Sequence, residues 1–180
     1  MQEVFHEAVN RLEKGESVVV ATVIRTKGST PQKPGAKLLV RQDGTGAGTL
    51  GGGCVEGDIW FAAKQLMQQG GEAEYREYEL NEELAAEDGL VCGGTMYFLI
   101  DPVYTPEDYL PYAREIDFAY KGEGAVALAT VIKSGSDGKS RIGDKLFIRE
   151  NGKTEGTLGN LEIDKGAIDK AKILMIHGRN

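Results

Sequence analysis

Three glycines directly precede a cysteine in this chain, and Gly51, Gly52, Gly53 and Cys54 stand at the start of a predicted helix over residues 55–69. Glycine lets backbone amides approach an anion closely, and the unpaired first-turn amides of a helix favour negative charge. Amide dipoles at the same place stabilise a thiolate. The pattern therefore predicts an oxyanion or phosphate cradle beside a nucleophilic or metal-ligating sulfur. The alternative for Cys54 is the role of a small buried hydrophobic residue.

A second cysteine, Cys92, lies in another glycine-rich step and is followed by Gly93, Gly94 and a predicted strand over residues 96–100. Two cysteines are too few for a disulfide framework in a chain of 180 residues, so both are predicted to be free thiols. If the two glycine-rich steps neighbour each other in the fold, both thiols face one cleft. They would then act as a dithiol, a sulfur relay or soft-metal ligands.

Two polar residues near these steps are further candidates. Glu56 adjoins the thiol in the first helical turn, where a carboxylate either offsets the helix dipole or acts as an acid, base or ligand. Ser29 belongs to the loop over residues 27–37, which combines hydroxyl groups and three lysines with two prolines. Such a loop suits an anionic ligand, although the same composition also forms simple turns.

The glycines upstream of the cysteine also fit a dinucleotide motif. Gly46, Gly48 and Gly51 have the spacing G-x-G-x-x-G, and Glu72 lies about 20 residues further on. A related segment later in the chain has Thr154 in place of Gly46. That replacement favours a hairpin strand for the first two glycines over a dinucleotide site.

One stretch of the chain occurs twice. The sequence GESVVVATVIRTKGS, which begins at Gly15, recurs as GEGAVALATVIKSGS from Gly122, and the match continues through a hairpin with Asp-Gly or Asn-Gly at its turn. The second copy has Glu162 opposite Cys54 and no segment opposite Cys92. We therefore predict an internal duplication in which only the first copy carries thiol chemistry.

The element pattern predicts an α+β fold. Each copy opens with an amphipathic helix and continues with a β-branched strand, so we expect two related helix/strand/hairpin/helix units with a mixed sheet packed by helices. The first unit adds strands near residues 73–80 and 96–100, with a short helical turn from Asn81 between them. Residues 1–103 are the predicted domain with the glycine-rich and cysteine motifs. Residues 104–180 are the predicted degenerate second copy, which lacks the added strands through loss or truncation.

Composition excludes several classes of protein. The chain has 41% hydrophobic and 27% charged residues, as globular proteins do, and its net charge of -7 has the wrong sign for a dedicated binder of nucleic acid or anionic membranes. Its longest apolar run, residues 18–24, is far shorter than the ~20 residues of a membrane-spanning helix. Because the N-terminus is amphipathic rather than a signal peptide, we expect a cytoplasmic protein.

Three motifs taken together resemble the XdhC/CoxI family of xanthine dehydrogenase accessory factors: KGSTPQKPGAK from Lys27, GTLGGGCVEGD from Gly48 and GLVCGG from Gly89. The resemblance covers about the first 100 residues in motif order. It implies that the motif positions bind cofactor, and these are Ser29, Gly51, Gly52, Gly53, Cys54, Glu56, Cys92, Gly93 and Gly94. It also implies that Cys54 and Cys92 meet a metal through molybdenum cofactor.

The resemblance further implies a function. Family members hold the molybdenum cofactor (molybdopterin) transiently, protect it while a cysteine desulfurase or sulfurtransferase supplies the sulfido ligand, and deliver it to a xanthine dehydrogenase-type molybdenum hydroxylase. We therefore expect a chaperone rather than a catalyst, with the second unit as a structural or homodimer-forming copy. Two alternatives remain open at this stage: a thiol-dependent redox or nucleotide-binding enzyme, and a non-catalytic scaffold that docks on a hydroxylase.

Overall fold

The computed structural model describes residues 1–80, 93–135 and 138–177. Its helices and strands, in chain order, are α1 (Gln2–Leu12), β1 (Val18–Lys27), β2 (Lys37–Arg41), β3 (Gly46–Gly48), α2 (Gly53–Gln69), β4 (Glu74–Glu79), β5 (Thr95–Val103), α3 (Pro106–Tyr120), β6 (Val126–Thr130), β7 (Lys145–Arg149), β8 (Thr154–Gly156) and α4 (Leu161–Ile176). The helical turn predicted from Asn81 falls outside the described residues. Within them, every helix is too short or too polar to cross a lipid bilayer.

The strands form two sheets, and the predicted α+β class is confirmed. A five-stranded sheet has the order β3-β2-β1-β5-β4, and a three-stranded sheet has the order β6-β7-β8. Each neighbouring pair runs antiparallel, whereas the sequence predicted a mixed sheet. Helix α2 is the crossover that would create a parallel pair, but it joins β3 and β4 at opposite edges of the sheet. Those two strands are therefore never neighbours.

Strand β1 is buried on both faces, as its continuous apolar sequence predicts. Val19, Ala21 and Val23 pack with residues of α2 on one face. Val18 and Val20 pack with α1 and α3 on the other. Because successive side chains of a strand alternate between faces, this one strand anchors both layers of the core.

The hairpin between β2 and β3 forms as predicted, but its turn is not the type I′ turn that Asp-Gly dipeptides favour, in which both central residues have a positive φ. Gly44 has φ +82°, while no described residue other than glycine has a positive φ. The Asp43 carboxylate accepts hydrogen bonds from the amide and the hydroxyl of Thr45, at 2.8 and 2.6 Å. These bonds hold Asp43 in an Asx turn, so only the glycine takes the left-handed conformation.

The two sheets share a pairing register. Val18 pairs with Arg41 in the first sheet, and Val126 pairs with Arg149 in the second, 108 residues later on both strands. An ion pair to a helix recurs in the same way, since Arg41 binds Glu7 of α1 at 2.7 Å and Arg149 binds Glu115 of α3 at 2.6 Å. Helices α1 and α3 pack against each other between the sheets.

Candidate functional site

The loop after β1 lies against the backbone that leads into β5. A Cβ atom on Gly28 would be 3.2 Å from the Cα of Gly94, and one on Gly94 would collide with the carbonyl oxygen of Ser29. The amide of Leu80, at the end of β4, also donates to the carbonyl of Gly94 at 2.9 Å. Ser29, Gly93 and Gly94 therefore lie together at one end of the five-stranded sheet, and only a glycine fits at position 94.

The glycine run before α2 lies beside the same loop. A Cβ atom on Gly51 would be 2.7 Å from the Cβ of Pro31, which is closer than real Cβ contacts. The loop over residues 27–37 thus adjoins both the glycine run before α2 and the two glycines before β5, which are distant from each other in the sequence. Gly51 and Gly94 serve this close packing of backbones.

The Glu56 carboxylate of α2 binds the loop that precedes this helix. Its Oε2 atom accepts a hydrogen bond from the Thr49 hydroxyl at 2.6 Å, from the Leu50 amide at 2.6 Å and from the Gly52 amide at 3.1 Å. Burial by itself raises the pKa of Glu56, but these donors outweigh it and hold the pKa below the ordinary value of 4.5. Glu56 is therefore an anion whose Oε2 atom is bound by the loop.

The same arrangement occurs before α4, where there is no thiol. The Asp164 carboxylate accepts from the Thr157 hydroxyl and the Leu158 amide, both at 2.7 Å. Thr157 also accepts from the Gly159 amide at 3.0 Å, as Thr49 does from Gly51. Since the second loop keeps the contacts without the cysteine, the interactions of Glu56 are those of a loop-to-helix closure.

The two helix starts differ in whether their first-turn amides are capped. Asn160, the N-cap of α4, accepts a hydrogen bond from the amide of Glu162 at 2.8 Å through its side chain. The N-cap of α2 is Gly52, which has no side chain to offer. The amides of Gly53 and Cys54 therefore have neither a capping side chain nor an acceptor within the helix. A Cβ atom on Gly52 or Gly53 would meet no atom within 4 Å, so this helix start faces open space.

Cys54 lies at the surface in the first turn of α2, which excludes the buried hydrophobic role. One turn further on, Asp58 accepts a hydrogen bond from the Tyr78 hydroxyl of β4 at 2.9 Å. Burial, this bond and the negative charges of Asp58 and Cys54 raise the pKa of Tyr78 to about 12. Tyr78 thus keeps its proton at neutral pH and donates it to Asp58.

Cys92 lies outside the described residues, so its relation to Cys54 stays a prediction. Gly93, its neighbour in the chain, belongs to the backbone that meets Gly28. Within residues 1–80, 93–135 and 138–177, no three His, Cys, Asp or Glu side chains come together in a group able to hold a metal ion. A metal here would depend on thiols and on ligands that the metal brings with it.

Sequence reasoning missed two contributors to this site. Thr49 donates a hydrogen bond to Glu56. The sequence could have indicated this residue, because the Gly-Thr-Leu-Gly step recurs with Thr157. Tyr78 had no such signal, since β4 alternates exposed and half-buried residues and the sequence does not show which of its tyrosines faces α2. Gly46 and Gly48 lie in β3, as the hairpin interpretation predicts.

Comparison with known proteins identifies relatives of the chain. A model of the XdhC and CoxI family matches residues 11–79 and 119–180, well over half of the sequence. The chain is 30% identical over 151 residues to a Bacillus subtilis protein named as a probable subunit of xanthine dehydrogenase, a match that covers 82% of the chain and 42% of that protein. It is 36% identical over 69 residues to the molybdenum cofactor insertion chaperone PaoD of Escherichia coli, covering 38% of the chain and 22% of that protein.

A solved structure shares the fold. The crystal structure of a xanthine dehydrogenase from Bacillus halodurans superposes with a TM-score of 0.59 at 27% identity, over 83% of this chain and 44% of that one. The chain thus spans less than half the length of the curated relatives described above. The two segments matched by the family model fall on the two predicted copies.

Proposed function

Because this chain belongs to the XdhC and CoxI family, we propose that it is an accessory chaperone. In this role it binds the molybdenum cofactor and assists its sulfuration and insertion into a xanthine dehydrogenase-type molybdenum hydroxylase. One relative is named as a molybdenum cofactor insertion chaperone, and another as part of a xanthine dehydrogenase. The observation that carries the proposal is the uncapped start of α2, where open amides and an exposed thiol lie side by side.

The groups around this helix start suit the cofactor's chemistry. Molybdopterin supplies a phosphate and a molybdenum held by soft dithiolene sulfurs. The amides of Gly53 and Cys54 and the exposed hydroxyl of Ser29 would receive an anion, since first-turn amides carry partial positive charge. Glu56 lies in the same helical turn, and its Oε2 atom is bound by Thr49 and by loop amides.

The thiols would act on the metal side of the site. A thiolate is a soft ligand that suits a sulfur-rich molybdenum centre, so we assign Cys54 and Cys92 to it. Tyr78 would remain a neutral neighbour of this site, since its hydroxyl proton is donated to Asp58. The glycines at positions 51, 93 and 94 would position these groups through backbone packing rather than by contact of their own.

The proposed partners follow from the same role. A cysteine desulfurase or sulfurtransferase would supply sulfur while the cofactor is held, and a molybdenum hydroxylase would receive it. Because the thiol and the amides lie at the surface, both partners would reach them directly.

Retention of cofactor by the purified protein tests the proposal. We expect the wild-type chain to retain molybdenum cofactor close to one per chain under anaerobic conditions, measured by pterin fluorescence after oxidation and by metal analysis. Cys54→Ser keeps the size of the side chain and removes the soft ligand, so retention should fall about tenfold or more. The matched control is Glu162→Ser at the corresponding position of α4, which should retain cofactor like the wild type. Equal retention by the wild type and Cys54→Ser would contradict the assignment of the thiol.

A further inference from the structure

Strand β6 leaves one edge of its backbone without a partner strand among the described residues. In the sheet order β6-β7-β8 it is terminal, and it pairs with β7. Val131 exchanges bonds of 2.9 Å with Gly143 and Asp144, and Ala125 accepts from Glu150 at 3.2 Å. Because bonding alternates along an antiparallel strand, the N–H and C=O groups of Val126, Leu128 and Thr130 point to the open edge.

The corresponding edge of β1 is covered. Val18, Val20 and Thr22, which lie 108 residues before the three open residues of β6, pair with β5. Residues 18–21 of β1 are all buried, whereas every residue of β6 is half-exposed. The second sheet thus has the register of the first without the strand that completes it.

A carboxylate of β5 also forms an ion pair with the second sheet. Asp101, which pairs with Val20, lies 2.8 Å from the ammonium group of Lys145 on β7. That ammonium is 5.9 Å from the centre of the Tyr109 ring of α3. Asp101 is buried, so its charge depends on this lysine.

Lys37 of β2 is the counterpart of Lys145, 108 residues earlier, but it lacks such an acid. Its ammonium lies 5.9 Å from the Phe5 ring of α1, as Lys145 does from Tyr109, and donates to the Thr22 hydroxyl at 2.9 Å. No carboxylate among the described residues forms an ion pair with it. Burial lowers the pKa of Lys37 to about 8, and the more distant Asp101 offsets this only in part.

A cavity connects the open edge with this lysine. Its volume is about 510 Å³, and it is lined by β6 on one side and by Phe5, Lys37, Ile116 and Met175 on the others. The lining is largely apolar. Among the described residues that line it, Lys37 is the one cationic side chain. An occupant of this space would meet backbone hydrogen-bonding groups, an apolar wall and a single buried ammonium.

We propose that the open edge of β6 accepts an extended segment of a partner protein, antiparallel to β6. An Asp or Glu of that segment would lie opposite Leu128 and pair with Lys37. The arrangement repeats the one that β5 makes with β1, where Asp101 opposite Val20 reaches Lys145. Apolar side chains next to the acid would fill the cavity, and main-chain hydrogen bonds would fix the direction of the strand.

A second copy of this chain fits the edge less well. Strand β6 has the sequence VALAT, so pairing of two β6 strands would bring no carboxylate to Lys37. The strand with the required acid, β5, already lies between β1 and β4 in its own sheet. Charge complementarity therefore favours a segment with an acidic residue between apolar ones over a second β6 strand.

A peptide with the sequence of β5 is the probe for this edge. We would label TMYFLIDPV, flanked by lysines for solubility, and titrate it with the whole chain by fluorescence anisotropy. We expect saturable binding that weakens about tenfold when the peptide's Asp is changed to Asn, since a charge-assisted pair is lost. With Lys37→Met the two peptides should bind within about twofold of each other, and the control Lys153→Met, on the exposed β7–β8 turn, should behave like the wild type.

Amide exchange gives a second readout that does not need a lysine variant. Bound peptide should slow exchange at Val126, Leu128 and Thr130, with little change at Ala127 and Ala129, which already bond to β7. Equal affinity of the Asp and Asn peptides for the wild type, or no saturable binding up to ~1 mM, would overturn the proposal. Concentration-dependent protection of the same amides without peptide would overturn the assignment to a partner and indicate self-association.

Discussion

Replacement of Glu56 by Gln separates the structural part of the glycine-rich site from its chemistry. The change keeps the shape of the side chain and one acceptor oxygen but removes the negative charge. We expect the variant to fold with a lower free energy of unfolding and to retain as much molybdenum cofactor as the wild type does. The reason is that the three donors of Thr49, Leu50 and Gly52 lie within the protein itself.

The expected size follows from those three bonds. A hydrogen bond to a charged acceptor contributes roughly 1.5 to 3 kcal/mol, and one between neutral groups about 1 kcal/mol. Losing the charge at each of three bonds would cost about 1.5 to 6 kcal/mol, and screening by water around a half-buried carboxylate reduces this. We therefore expect a loss of about 2 kcal/mol for Glu56→Gln.

Urea unfolding at pH 7 and at several acidic pH values measures this loss. The folded pKa of Glu56 lies below its ordinary value of 4.5, so its contribution is complete above that value and is lost as pH falls through the folded pKa. Glu56→Gln should thus be less stable than the wild type at pH 7 and approach it at low pH. Asp164→Asn is the matched control, since it breaks the same closure before α4.

The opposite pattern would refute the reasoning. If Glu56→Gln left the free energy of unfolding unchanged at pH 7 and abolished cofactor retention, Glu56 would be a ligand or an acid–base group. Its hydrogen bonds to the loop would then be incidental.

Two further variants test the capping and the buried lysine. Asn160→Ala removes the side-chain acceptor of the Glu162 amide and should lower the free energy of unfolding by about 1 kcal/mol, measured by urea unfolding against Lys172→Ala on the exposed face of α4; no loss would contradict the cap. Lys37→Met should be more stable than the wild type at pH 7, because burial of the charged ammonium costs the folded wild type free energy. The folded pKa of Lys37 is about 8 and its ordinary pKa is 10.5, so the stability of the wild type should rise with pH between these values. The rise is at most about 3 kcal/mol, from about 1.4 kcal/mol per pKa unit, and a wild type as flat as Lys37→Met over that range would refute it.

Most helices and strands of the fold could be predicted from the sequence. The helix predicted over residues 55–69 begins at Gly53, and the strand predicted over residues 96–100 extends from Thr95 to Val103. Hydrophobic periodicity and turn dipeptides act locally, so they indicate such elements directly. The direction of the strands did not follow, because it depends on which edges a crossover joins, and no local pattern records that.

The sequence indicated which residues belong to the site but not which contacts they make. The glycine runs indicated Gly51 and Gly94, yet their packing on Pro31 and Ser29 is long-range and has no sequence signal. Tyr78 was missed for the same reason. The hydrogen bonds that Glu56 shares with Asp164 could not be predicted either, since a carboxylate in a first turn has the same sequence pattern whether it closes a loop or binds a ligand.

The two predicted copies differ in complementary ways, and this bears on how the chain would work. Before α2 the helix start is open, while the sheet beneath it is completed by β5 and β4. Before α4 the helix start is capped by Asn160, while the edge of β6 lacks a partner strand within the described part of the chain. Cofactor chemistry and partner binding would thus be divided between the copies, and α1 packed on α3 joins them through one apolar core. A protein that docks on β6 would hold the chain while leaving the thiol of Cys54 accessible, as delivery of a cofactor requires.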